Sequence, residues 1–149
     1  MKPLVGILMG SESDMNTMSR AEEILKSLDV PYELNVMSAH RNPEKVKEYA
    51  GSASERGLKA IIAGAGLAAH LAGAVAANTL LPVIGVPIDG GPLNGFDALL
   101  STVMMPKGIP VATVAIGSHG ARNAAYLAAQ IIALENADVR ASLEKARGW

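Results

Sequence analysis

The sequence predicts a single domain of the α/β class, a doubly wound parallel sheet in three layers that closes with a C-terminal helix. Three observations carry this. Five short apolar runs recur along the 149 residues: Leu4–Met9, Glu33–Met37, Ala60–Ala63, Val83–Val86 and Val111–Ile116. Each is nearly continuous in hydrophobicity and closed by Gly, Ser or Pro, the pattern of parallel strands covered on both faces. Helical spacing fills the gaps between them, and strict alternation of strand and helix builds an open parallel sheet. The length suits one core, and no repeat, linker or low-complexity tract interrupts it.

The elements follow in order. Strand one leads straight into Gly10-Ser11, and Met18, Ala21, Leu25 and Leu28 then keep the spacing of an amphipathic helix. The apolar run from Tyr32 to Met37 ends in Ser38-Ala39-His40-Arg41, and a helix opens at Pro43. Asn42 is its expected cap, with a first-turn proline and Glu44 near the positive end. Val46, Ala50 and Ala53 mark its buried face. Strand three runs into Gly64-Ala65-Gly66, strand four into Pro87, and Met104–Pro110 makes a rigid entry to strand five. The Ala-rich stretch Ala121–Leu134 is apolar almost all round, which predicts a helix buried against other subunits. A polar helix, Val139–Arg147, closes the chain.

Composition excludes several classes of function. Half the residues are apolar, 18% are charged, and the net charge is −1, so no basic face exists to attract nucleic acid or anionic lipid. So few charges leave apolar surface to be covered, which predicts a homo-oligomer. The absence of cysteine removes disulfides, thiolate nucleophiles and sulfur-ligated metals together. No metal-ligand cluster is evident. No run approaches the roughly 20 apolar residues of a membrane span, and Leu4–Met9 is too short for a signal peptide. A cytoplasmic protein without a membrane partner is expected.

The strand ends carry the chemistry, as α/β proteins generally arrange it. His40 and Arg41 stand side by side after strand two. Imidazole gives and takes protons near neutral pH, and guanidinium forks onto a carboxylate or phosphate. Gly10-Ser11-Glu12-Ser13-Asp14 offers hydroxyls and helix N–H groups to a phosphate, and Asp14 an acceptor for ribose hydroxyls. Ser13 and Asp14 could equally serve only as helix caps. Gly64-Ala65-Gly66-Leu67-Ala68-Ala69 fits G-x-G-x-x-A with Asp89 ending the next strand, imitating a dinucleotide-binding unit. A mononucleotide or small-substrate loop ending in His70 competes with that reading, and so does a glycine turn that merely allows close packing. Lys107 reads as a solvated loop lysine and His119 as an exposed, inert histidine.

Taken together the turns resemble one family. They are Gly10-Ser11-x-Ser13-Asp14, Ser38-Ala39-His40-Arg41-x-Pro43, Gly64-Ala65-Gly66-x-Ala68-Ala69-His70-Leu71, Pro82-Val83-x-Gly85-Val86-Pro87, Met105-Pro106-x-Gly108-Ile109-Pro110-Val111 and Asn123-Ala124-Ala125. This order is similar to that of the N5-carboxyaminoimidazole ribonucleotide mutases, the class I form of the protein that carboxylates aminoimidazole ribonucleotide in purine synthesis. The resemblance implies a flavodoxin-like fold, a homo-octamer with sites at subunit junctions, a ribonucleotide substrate, and no metal, biotin or ATP. It implies that Ser11, Ser13 and Arg41 hold the 5′-phosphate, Asp14 the ribose, and that His40 is the acid/base. The loop carrying Gly66, His70 and Leu71 would close over the base and transient CO2, with Ser38 also at the substrate. The family usually has glycine where Leu67 stands, proline at Ala72 and glutamine at Met104. The first two bear on loop closure and the third on the pocket mouth. Two rivals are a related carboxylase that fixes free CO2, which usually has Lys where this chain has Arg41, and a non-enzymatic nucleotide-binding domain.

Overall fold

The computed structural model describes all residues, Met1–Trp149. A five-stranded, all-parallel sheet runs in the order β2-β1-β3-β4-β5. Its strands are β1 (Val5–Met9), β2 (Tyr32–Val36), β3 (Ala60–Gly66), β4 (Val83–Ile88) and β5 (Ala112–Thr113). The helices are α1 (Met15–Ser27), α2 (Pro43–Ser52), α3 (Leu71–Ala76), α4 (Phe96–Val103), α5 (Ser118–Ala133) and α6 (Ala137–Arg147). A single 3-10 turn, Glu12–Asp14, precedes α1.

Alternation along β1 sorts the two cores. Val5, Ile7 and Met9 point to the face covered by α1, α5 and α6, where Met18, Ala21, Leu25 and the alanines of α5 are buried. Leu8 points to the opposite face with Val46 and Ala50 of α2 and Leu71, Ala72 and Val75 of α3. α4 lies on that second face, where a Cβ on Gly85 would strike Thr102 and Ala72. The three predicted layers are present.

Two expectations are corrected. Strand five was expected over Val111–Ile116, but only Ala112 and Thr113 pair, with Ile84 and Gly85. Beyond them the chain keeps single bonds, Val114 N–H to the Gly85 carbonyl and Gly117 N–H to that of Pro87, before α5 begins. An edge strand needs only one partner, so its apolar run outlasts its ladder. The Ala-rich helix was expected to bury its apolar surface against other subunits. Instead Ala121, Ala124, Ala125, Ala128 and Ala129 are fully buried within the chain's own core, packed on α1 and the sheet. Small side chains serve close helix approach inside one chain as well as between chains. At the start of α5 a Cβ on Gly120 would overlap the Ala115 carbonyl oxygen.

Candidate active site

Four loops leave the carboxyl ends of β1, β2, β3 and β4 and meet above the point where strand order reverses, between β1 and β3. After β1, Ser11 caps the 3-10 turn. Its Oγ accepts the Ser13 N–H at 3.3 Å and the Ser13 hydroxyl at 3.0 Å. Asp14 occupies the N-cap position of α1 without any side-chain cap bond, so its carboxylate is not consumed by the helix. Partial burial raises its pKa, opposed by a backbone hydrogen bond at Ser11.

After β2, Ser38 shapes the turn that presents His40 and Arg41. Its Oγ accepts the Arg41 N–H at 3.1 Å, and its carbonyl accepts the Asn42 N–H at 2.8 Å. α2 begins at Pro43 as expected, but the Asn42 side chain makes no cap bond. The turn is held from behind because α2 is bolted to β2. The Glu33 carboxylate takes the Tyr49 hydroxyl at 2.6 Å and the Arg56 guanidinium at 2.7 Å, and that guanidinium lies 4.6 Å above the Tyr49 ring. A Cβ at Gly6 would push into the Tyr49 hydroxyl and the end of Leu58, so the glycine gives this hydroxyl its room. Burial alone would raise Glu33, but Tyr49 and Arg56 outweigh it and hold the carboxyl below its usual range. Burial and the facing carboxylate push the Tyr49 phenol well up.

After β3, the strand continues through both Gly64 and Gly66, and α3 starts only at Leu71. This explains why the G-x-G-x-x-A pattern is not a dinucleotide turn. Its glycines lie within the ladder, Gly64 against Met18 of α1 and Gly66 3.3 Å from the Ile88 carbonyl oxygen if it carried a Cβ. The turn proper holds Leu67 in the left-handed region, φ 54, with its Cδ2 over Gly91. His70 then faces His40 across the cleft. His40 Nε2 and His70 Nδ1 stand 2.6 Å apart, with the rings edge-on at 86°. Only one hydrogen fits on that line, so one ring donates, the other accepts, and their tautomers are coupled.

These loops enclose a cleft of about 640 Å³, within the usual range for small-molecule sites. Ser11, Ser13, Asp14, Ser38, His40, Arg41, Gly66, His70 and Leu71, the full predicted set, line it. Thr17 on α1 and Gly90-Gly91 after β4 also line it and were not expected there, although the glycine pair after a strand was a readable signal; Asp89, noted in the sequence only as the acid of a dinucleotide-type unit, lines it too. Lys107 and His119 are exposed and lie outside it. Met104, expected near the pocket mouth, is also exposed and does not line the cleft.

A doubly wound sheet with hydroxyls, an arginine and paired imidazoles around one cleft at its switch point defines a small α/β enzyme acting on an anionic metabolite. Residues 4–148 match the AIR carboxylase family, and the chain belongs to it. It is 58% identical to the N5-carboxyaminoimidazole ribonucleotide mutase of Bacillus subtilis over 99% of this chain and 91% of that protein. It is 56% identical to the protein of the same name from Pyrococcus horikoshii, over 97% of this chain and 80% of the relative. A crystal structure of Treponema denticola PurE superimposes with TM-score 0.87 at 31% identity, covering 98% of this chain and 90% of that one. These matches set aside the non-enzymatic nucleotide-binding alternative.

Proposed function

We propose that this chain moves the carboxylate of N5-carboxyaminoimidazole ribonucleotide from N5 to C4, giving 4-carboxy-5-aminoimidazole ribonucleotide in purine synthesis. The observation that carries this is the His40–His70 contact at 2.6 Å, in a cleft whose other walls present phosphate-binding groups. The names of the mutase relatives favour the transfer over direct carboxylation.

The steps balance. Protonated His40 delivers its proton to N5 as the N5–carboxylate bond breaks, leaving aminoimidazole ribonucleotide and CO2. C4 then attacks CO2, and neutral His40 removes the C4 proton, returning to its starting state. Ser11, Ser13 and Arg41 hold the 5′-phosphate, and Asp14 accepts from the ribose. Ser38 supports the His40 turn, while Gly66, His70 and Leu71 form the wall that keeps CO2 beside C4. No metal or organic cofactor takes part in these steps.

The proposal extends to a cytoplasmic homo-octamer. Leu93, Phe96, Leu100, Val103 and Met104 are exposed on and around α4 in the single chain, a contiguous stretch of sequence that a partner would cover. No helix is long and apolar enough to cross a membrane. The deciding assay supplies N5-carboxyaminoimidazole ribonucleotide, or aminoimidazole ribonucleotide with bicarbonate, to the purified protein. Product from the first without bicarbonate is expected. Product only from the second would make the chain a direct carboxylase, and product from neither would overturn the reading.

A further inference from the structure

The loop that carries His70 is held from outside the cleft. Ser101, on α4, accepts a hydrogen bond from the Ala69 N–H at 3.0 Å and donates its hydroxyl to the Asp97 carbonyl at 2.6 Å. Ala69 is buried, so without Ser101 its N–H would be desolvated and unpaired. The same Oγ lies 3.5 Å from the Leu67 carbonyl oxygen. Leu67 sits at φ 54, a conformation that a leucine backbone resists unless its surroundings impose it. One residue beyond Ala69 is His70, whose Nδ1 meets His40 Nε2. A continuous run of short contacts therefore joins α4 to the proton-transfer pair.

We propose that Ser101 is a positioning residue. Its hydroxyl oxygen holds the Ala69 N–H and thereby keeps His70 Nδ1 in line with His40 Nε2. The catalytic consequence rests on the function proposed above, but the alignment of the two rings does not.

Two measurements test this on the full-length protein. The first is the ring 15N and 1H spectrum of the three histidines. Ser101→Ala should move the His40 and His70 signals and leave the exposed His119 in place, whereas Ser101→Thr, which keeps the hydroxyl, should leave all three near their original positions. Ser101→Cys fills the same space with a poor acceptor and should shift the same two signals, which covers the case of an alanine variant that does not fold. The second is turnover of N5-carboxyaminoimidazole ribonucleotide. Ser101→Ala should lower kcat by about ten- to a hundredfold with KM nearly unchanged, and should cost nothing further in a His70→Ala background. Unmoved His40 and His70 signals, or an equal loss of kcat with and without His70, would overturn the proposal. A wild-type protein that does not turn over the ribonucleotide would instead overturn the functional reading, with the spectra still deciding the role of Ser101.

Discussion

His40 and Arg41 are neighbours in the chain but do different work, and separate substitutions should show it. His40→Asn keeps a polar side chain at the site and removes the titrating group, so kcat should fall about 10²- to 10⁴-fold while calorimetric binding of the ribonucleotide persists. Near-normal turnover would move the proton-transfer role to His70. Arg41→Ala removes a charge-assisted contact worth about 1.5–3 kcal/mol. Its expected signature is a raised KM for the ribonucleotide and a much smaller change for the phosphate-free nucleoside; equal weakening of both would show that Arg41 does not read phosphate. Both residues were legible because they follow an apolar run and precede Pro43, and a strand end opening a helix is a site by topology. Ser101 was not legible. A serine inside an ordinary amphipathic helix carries no mark of the buried N–H that it satisfies from another element.

At the scale of elements, the His40 turn depends on how α2 meets β2. Glu33 is held below its usual carboxylate range by Tyr49 and Arg56. A carboxyl with a depressed folded pKa contributes stability above its unfolded value, about 4.3, and that contribution is lost as pH falls through the folded value. Thermal melts should therefore show wild type above Glu33→Gln at neutral pH, with the gap closing as the solution is acidified below about pH 4.3; a gap that stays constant would remove Glu33 from the account. The elements themselves were largely readable. β1, β3 and β4 appear within a few residues of their apolar runs because buried parallel strands leave an unbroken hydrophobic signature, whereas β2, a half-exposed edge strand carrying Glu33 and Asn35, was placed by the turn residues that follow it. β5 was overextended because an apolar run specifies neither pairing nor burial at a sheet edge: no residue of Val111–Ile116 is buried in the chain, and only Ala112 and Thr113 pair. The partner of α5 was misread for a related reason. Alanine spacing specifies that a helix is closely packed, but it does not specify which chain supplies the other surface.

At the scale of the molecule, assembly and folding should respond to different positions. Phe96 is 64% exposed and Leu100 56% in the single chain, so Phe96→Glu or Leu100→Glu should leave the fold intact while reducing the mass seen by light scattering. If the site is shared between subunits, activity should fall with the mass. Ala125→Glu instead places a charge in the chain's own core and should abolish folding. A wild type that scatters as a 15.4 kDa monomer with full activity would contradict the assembly. The strand order has one more consequence, in time. Val5 pairs with Tyr32 on one side and with Ala60 on the other, so the stretch of chain that β1 closes to reach β3 is about twice the one it closes to reach β2. The doubled span costs only about 0.6 kcal/mol more in closure entropy, which by itself favours forming the β1–β2 pairing first. His40 arrives with the early closure and His70 with the late one. The phosphate-binding turns and His40 therefore belong to the shorter closure, and the His40–His70 contact can form only once the longer one is made.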